Sequence, residues 1–502
     1  MSVKRLLSGL AVVTVVVCSA YLGYAFQCNA PSCKNRVKST TQKVFPWERA
    51  YKEYENSVSP PAMSRSSLAE KVSGATGGVI TDVWSERYVT LNGHVAEGLK
   101  PIDTCRRKGH EILGRIGVRY KFQILGSYGV WLDARLGLGH QNYLDDNRNK
   151  LWLDVRQLYF STRNPMGTNM PGVYLSIGRI PVADVRGFWF YNSLDSIKAE
   201  YLSTQLNGFV LVGTRFNDSR VSNSQEQNNI KDYDYLIGNL DYQFRYANHA
   251  ALFFVKEYSD IDNAVGDHHS VWEPAKPKNN LTWLGLRLRG AIGDDFEHYV
   301  RYWLDVAGVW GRTQNISEAA CDECGGCRYV TGVSSTKAHG IGGELGALLR
   351  SGDFGVGAQI GFAGKKFIQT RLSNNRAIML GPTTVRYFGQ LANPDLSNIV
   401  IAGLFGGYRV RTNDWLELNL LKYMQYSKDY GTYFSRYLTS TNGNSRDLGY
   451  EADLIYEGEV RETASRWRYN VVGSYFRAGS AFNDVDSIKN AYSLYFDLKY
   501  YW

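Results

Sequence analysis

The sequence predicts an all-β fold: a transmembrane antiparallel β-barrel of about 18 strands, with a signal peptide cleaved from its amino terminus. Three observations carry that expectation. First, Tyr492, Leu494, Phe496, Leu498, Tyr500 and Trp502 alternate with Ser493, Tyr495, Asp497, Lys499 and Tyr501, so the chain closes on a two-faced strand ending in an aromatic. A period of two is the mark of a strand between unlike environments. Second, aromatics are 14% of the 502 residues, with 35 Tyr and 12 Trp, and Gly (50) far exceeds Pro (12). Mean hydropathy is nonetheless -0.32. Strands that alternate cross a bilayer without any long apolar run, which reconciles these values. Third, the only long apolar run lies at the start. The edge strand of a soluble sandwich is the rival for the last segment, but it does not account for so many strands in one chain.

Lys4 and Arg5 precede an apolar stretch over residues 6–26, the layout of a secretory signal. Gly23, Tyr24 and Ala25 offer small residues at the spacing for cleavage after Ala25, giving a signal over 1–25. A retained helical anchor, flanked by Lys34 and Arg36, is the alternative. A lipoprotein cleaved before Cys18 fits poorly after Val15, Val16 and Val17. Residues 26–80 read as a polar, Ser- and Pro-containing segment on the periplasmic side, and 81–502 as the barrel.

Beyond the signal, Cys28, Cys33, Cys105, Cys321, Cys324 and Cys327 remain. An even number in an exported chain favours disulfides, because the envelope is oxidising. Cys321, Cys324 and Cys327 also have metal-ligand spacing, but they lack a nearby fourth ligand, so no metal is expected.

Clean alternation recurs along the chain. Leu132, Ala134, Leu136 and Leu138 oppose Asp133, Arg135 and Gly137, while Leu151, Leu153 and Val155 oppose Trp152, Asp154 and Arg156. Leu284, Leu286 and Leu288 oppose Gly285, Arg287 and Arg289, and Val300, Tyr302, Leu304 and Val306 oppose Arg301, Trp303 and Asp305. Leu416, Leu418 and Leu420 oppose Glu417 and Asn419. Leu448, Tyr450, Ala452, Leu454 and Tyr456 oppose Gly449, Glu451, Asp453 and Ile455. Long polar connections are expected at 217–233, 259–279, 311–337 and 427–446, with a tight Thr-Asn-Asp turn at Asp414. A barrel of this size encloses water, so inward charges are expected to be solvated without special partners.

The formal charge is +9. Such a balance suits nucleic acid, anionic lipopolysaccharide or an anionic solute in the lumen. Arg115, Arg119, Arg135, Arg156, Arg287, Arg289, Arg301, Arg466, Arg468 and Lys499 fall on inward faces, beside Asp133, Asp154, Asp305, Glu417, Glu451, Asp453 and Asp497. Cations spread along alternate strand positions do not make a nucleic-acid surface. Guanidinium presents a planar fork that stays charged and fits carboxylate, so an Arg-rich lumen favours a carboxylate- or phosphate-bearing permeant. An enzyme is not expected: only eight His occur, no Gly-x-Ser-x-Gly elbow is present, and no cofactor is implied.

The chain resembles the alginate outer-membrane export porins. The resemblance rests on residues 151–179, with Arg156 in Leu-Asp-Val-Arg-Gln-Leu-Tyr and a strand ending Ile-Gly-Arg179. It continues through Trp189, Asn192 to Asp195, and Thr214-Arg215-Phe216. Further matches are 281–286, 367–376, 386–389, 396–398 and 446–454, so the likeness spans roughly 85–502. It implies an 18-stranded monomer passing a linear polyuronate such as alginate from periplasm to outside, without a chemical step. It also implies that selectivity rests on Arg119, Arg156, Arg179, Arg376, Arg386 and Arg468, with Asp195 and Asp218 at acidic positions. Arg179 is in phase with Leu175 and Ile177, which places it at a strand end or rim. Thr90 stands where the family has a basic residue, Pro181 replaces a second selectivity arginine, and Tyr191 occupies an acidic position. Implied partners are an anionic polysaccharide, outer-membrane lipid with lipopolysaccharide, and periplasmic export machinery; the implied location is the Gram-negative outer membrane. The alternative function is a general or anion-selective porin for small solutes such as sugar acids.

Overall fold

The computed structural model describes residues 80–97, 108–124, 128–143, 146–165, 172–216, 232–270, 275–293, 297–320, 327–430, 443–462, 465–482 and 490–502. The barrel strands, numbered in chain order, begin with β1 (Ile80–Glu97), β2 (Lys108–Ile124), β3 (Tyr128–Tyr143), β4 (Asp146–Arg163), β5 (Val173–Ala183) and β6 (Tyr191–Leu202). Next come β7 (Leu206–Thr214), β8 (Asp234–Arg245), β9 (Asn248–Tyr258), β10 (Asn279–Ile292), β11 (His298–Ala320) and β12 (Cys327–Ser351). The last six are β13 (Phe354–Ala363), β14 (Ile399–Arg411), β15 (Asp414–Gln425), β16 (Asp447–Arg461), β17 (Arg466–Ala478) and β18 (Asn490–Tyr501). Each pairs antiparallel with the next, and β18 pairs back onto β1 from Tyr501↔Tyr88 to Tyr492↔Glu97, closing an 18-stranded barrel.

The outer face is greasy because alternate residues are Leu, Ile and Val: Leu138, Leu151, Leu153, Leu284, Leu404 and Leu454 are all more than half exposed. Exposed aromatics girdle both ends, with Tyr246, Phe354, Tyr408 and Trp502 at one and Trp310, Tyr426, Tyr450 and Tyr492 at the other. Such a band removes solvent-facing apolar surface only when lipid covers it. The connections 203–205, 246–247, 352–353 and 412–413 share one end with both termini of the barrel; the long ones, including 215–233, 259–278, 364–398 and 426–446, share the other. Short turns mark the periplasmic end of bacterial outer-membrane barrels. The turn at Thr412 and Asn413 is closed by Arg411↔Asp414, as the sequence predicts.

Three expectations need correction. Much of 311–337 is not loop: β11 and β12 stay paired from Gly311↔Ala338 to Ala320↔Arg328 and rise above the greasy band. Leu448 does not face lipid but is fully buried, because the register slips between Tyr423 and Met424 and leaves Leu448 as the extra residue of a bulge. The third correction is the largest. The lumen is not simply filled with water, since residues 364–398 leave the extracellular end of β13, run down inside the barrel and return to β14.

Ile378 of that insert packs with Ala247, Ala291 and Tyr299, next to the periplasmic turns. Leu380 lies where Gly355 has no side chain; a Cβ there would sit 2.1 Å from its Cδ2. An irregular segment inside a barrel pairs little of its own backbone, and unpaired buried amides are costly. Inward carboxylates supply the partners. Glu417 accepts from the N–H of Leu380 (3.2 Å) and Gly381 (2.6 Å), and Glu457 from that of Thr383 (2.7 Å). Glu451 accepts from Leu391 (2.7 Å) and Ala392 (2.9 Å), and Asp453 from Gln390 (3.4 Å). The acids expected to sit solvated in a wet pore are therefore the fasteners of the insert. A continuous buried cluster including Trp189, Trp283, Phe253, Phe367, Phe388 and Leu396 draws on strands from β5 to β18. The candidate signal, the 26–79 segment, Cys28, Cys33, Cys105, Cys321, Cys324 and Asp218 lie outside the described residues, and the side chain of Cys327 is not described either.

Candidate functional site

The inward charges of β17, β18 and β1 to β4 line the wall on the other side of the insert, which β17 touches directly where Asn470 donates to Thr383 Oγ1 (2.9 Å). Cross-strand register stacks them in rows. One row runs Arg468, Lys499, Thr90, Arg115 across β17, β18, β1 and β2. A second, nearer the periplasm, runs Glu86, Arg119, Asp133, Gln157 across β1 to β4. The insert answers with its own short hairpin, in which Arg376 pairs with Arg386 and Ala377 with Val385. Arg376 lies within electrostatic reach of Tyr495 on β18, together with Arg115 and Lys499. Arg386 lies within reach of His94 on β1.

Most of these cations already hold a wall acid. Arg119 donates to Glu86 (2.9 Å) and Asp133 (3.2 Å), and its guanidinium lies 4.9 Å from the Tyr88 ring. Arg468 is bonded to Glu459. Lys499 meets Asp497 at 2.5 Å, Asp497 accepts from Asn92, and Arg115 donates to Asn92 at 2.5 Å. Arg156 is more open than Arg119 or Arg468, with its side chain 37% exposed and 4.0 Å from Asp133. It enters the lumen through a bulge: Ala134 pairs with Val155 and Asp133 with Gln157, leaving Arg156 as the extra residue. The bulge also resets the alternation, so Leu158 and Phe160 face out although Leu151 and Leu153 did so before it.

The remaining predicted positions separate into two groups. Arg179 and Asp195 form a two-pronged pair at 2.8 Å and 2.8 Å, in phase with the exposed Ile177 and Ile197. They sit on the outer face at the extracellular strand ends, so the structure does not bring them to the bore, and Arg179 takes the rim position its phase predicts. Arg287 and Arg301 belong to the filled side. Arg287 binds Asp305 (2.7 Å) and Arg301 donates to the carbonyl of Ile378 (2.9 Å). Arg289 meets Asp241 at 3.0 Å.

Sequence reasoning missed Arg186. Asp184 builds the β5–β6 turn that presents it, accepting from the backbone N–H of Arg186, Phe188, Trp189 and Phe190 at 2.7–3.1 Å. Arg186 forms a forked pair with Glu344 at 2.5 and 3.0 Å, and its guanidinium lies 4.2 Å from the Trp303 ring and 4.0 Å from the Tyr387 ring. Tyr387 adjoins Arg386. The Gly187 carbonyl accepts from Asn374 (2.8 Å) and Asn375 (3.0 Å), which adjoin Arg376. The turn therefore grips both strands of the arginine hairpin. Its sequence signal is Phe188-Trp189-Phe190, an aromatic run in a connection that would otherwise face water. Replacing Arg186 by Met strands Glu344 in the interior and is expected to cost about 3–5 kcal/mol. The unfolding temperature in detergent should fall, and Arg186→Met with Glu344→Leu should recover most of it. A single variant that melts with the wild type would refute the clamp.

The family described as "Alginate export" matches residues 216–496. The alginate production protein AlgE of Pseudomonas aeruginosa is 25% identical over 309 residues, 57% of this chain and 60% of that protein. AlgE of Azotobacter vinelandii is 24% identical over 304 residues, 56% of this chain and 61% of that protein. The chain thus spans about 60% of the length of the curated relatives it matches. Among solved structures, Acinetobacter baumannii OccAB1 superposes with a TM-score of 0.54 at 9% identity, over 84% of this chain and 97% of that one. Pseudomonas aeruginosa OccK5 gives 0.52 at 10% identity, over 84% and 98%. These two likenesses show the fold.

Proposed function

The chain belongs to the alginate export family, and from that premise we propose that this outer-membrane barrel carries an anionic polyuronate, alginate foremost, out of the cell by diffusion through a cation-lined passage. The observation that supports the reading is the convergence of Arg115, Arg119, Arg156, Arg468 and Lys499 from the wall with Arg376 and Arg386 from the insert. A polyuronate carries one carboxylate on each sugar. Each carboxylate that approaches Arg119 or Arg468 exchanges with a wall acid already there, so it gains only the difference between two similar contacts. The wall acids are largely buried, but exchanging one carboxylate for another leaves a small net gain, and a conducting path needs contacts weak enough to release. Pre-paired arginines meet that need: they attract the polymer without trapping it. No bond is made or broken in this reading.

Residues 1–25 act in this reading as the export signal and 26–80 as a periplasmic segment placed to meet the machinery that delivers the polymer. In this reading the barrel works as a monomer, and closure of β18 on β1 removes strand-edge pairing as a route to assembly. The test is genetic. Deleting the gene in a polyuronate-secreting cell should abolish secreted uronic acid, with polymer or its degradation products retained in the periplasm, and the intact gene should restore secretion. Unchanged secretion after deletion would refute the function.

A further inference from the structure

On the outer face, the extracellular edge of the greasy band carries an unusual pair. Arg312 of β11 and Lys337 of β12 are directly opposite in the ladder, both exposed and both outward, because their neighbours Gly311 and Ala338 lie on the inward phase. Like charges directly opposite repel. Other outward cations at this level have partners: Arg179 holds Asp195 at 2.8 Å, Lys422 holds Asp447 at 2.5 Å and Arg477 reaches the Tyr450 hydroxyl at 3.4 Å. One row further up, Lys278 holds Asp260 at 2.8 Å. Among the described residues, Arg312 and Lys337 have no acidic or hydrogen-bonding partner.

Their surroundings define the ligand. One row towards the membrane lie Trp310, 47% exposed, its partner His339, and Thr282 opposite Trp310. Lys256 of β9 reaches the same patch, with its Nζ bonded to Asn280 and 3.1 Å from Thr282 Oγ1, and Asn280 is the ladder partner of Arg312. Below them Ile341 and Leu284 are more than half exposed and belong to the lipid-covered band. A ligand here must bring negative charge at the headgroup level and apolar chains beneath it. We propose that Arg312, Lys337 and Lys256 bind the phosphorylated headgroup of an outer-leaflet glycolipid, with Trp310 at the boundary between its sugar and its acyl chains. Phosphate between the two cations turns a repulsive cross-strand pair into two charge-assisted contacts. The site rests on the outer-membrane placement of the barrel and is independent of what passes through the lumen.

The test uses the full-length protein in detergent, with bisphosphorylated lipid A, its dephosphorylated form and inorganic phosphate as probes, read by native mass spectrometry of the bound fraction. Wild type should bind the bisphosphorylated form at least about tenfold more tightly than the dephosphorylated form, and millimolar inorganic phosphate should not displace it. Arg312→Gln with Lys337→Gln should remove that preference. Lys337→Glu should remove it too while raising the unfolding temperature in lipid-free detergent, since it replaces repulsion by attraction. Equal binding of both glycolipids, unchanged binding by the double variant, or displacement by inorganic phosphate would each overturn the assignment. Block of current by uronate oligomers, measured on the same preparation, reports separately on the pore, so failure of one reading is distinguishable from failure of the other.

Discussion

Removing residues 376–386 is expected to raise single-channel conductance about threefold or more, because an 18-stranded barrel without a filler encloses an open aqueous lumen. The ends left behind meet: the Tyr387 N–H donates to the Asn375 carbonyl at 3.3 Å, so an Asn-Gly link can replace the hairpin. The deletion withdraws Ile378 and Leu380 from the periplasmic turns and frees Glu417 and Glu457 of the amides they hold. In the widened bore, water takes over as their partner, so the barrel survives the loss. Arg376 and Arg386 leave with the hairpin, and the preference for anions should weaken as conductance rises. A deletion variant with wild-type conductance would place the conducting path elsewhere.

The second large effect is charge reversal. Arg156→Glu together with Arg376→Glu reverses two fixed charges of the proposed passage, one on the β4 bulge and one on the insert. Charges in a narrow, partly desolvated passage interact far more strongly than in bulk water. The ratio of anion to cation permeability is expected to fall by about tenfold or more, each tenfold corresponding to about 1.4 kcal/mol. Measured across a salt gradient, the reversal potential should move towards the cation side. Arg156 is 37% exposed and stands 4.0 Å from Asp133, too far for a hydrogen bond, so its replacement is expected to leave the barrel folded. Unchanged reversal potentials would take both residues out of the conducting path.

The exterior of this molecule is legible in the sequence, and the interior is much less so. Leu136 and Leu138 on β3, Leu284 and Leu286 on β10, and Leu416 to Leu420 on β15 all face lipid as their alternation predicts, because one physical requirement repeats at every second residue. The inward positions obey no such single rule. Glu417, Glu451 and Asp453 look like the solvated acids of a wet wall, yet their partners are backbone amides of a segment with neither helical nor strand period. That segment did carry a signal. Phe367, Leu372, Met379, Leu380, Val385, Phe388, Leu391 and Leu396 give 364–398 an apolar content out of place in a loop facing water.

Bulges were the other loss. Alternation counted from Leu151 puts Arg156 inward, which is where it lies, but by the same count Leu158 would point the wrong way. Family resemblance located Arg376 and Arg386, whereas only the fold brings them opposite β18 and β1. Resemblance also grouped Arg179 and Asp195 with the bore, although the phase they share with Ile177 and Ile197 puts them outside it.

The central claim is that a polyuronate threads the space between the arginine hairpin and the β17 to β4 wall. It is tested most directly by planar-bilayer recording of single channels, with uronate oligomers added on the periplasmic side and neutral glucan oligomers of equal length as reference. The uronate should interrupt the current in discrete, short blocks at concentrations where the neutral oligomer has no effect, and Arg156→Glu with Arg376→Glu should abolish the difference. Equal block by both oligomers, or block unaltered in the double variant, would contradict it.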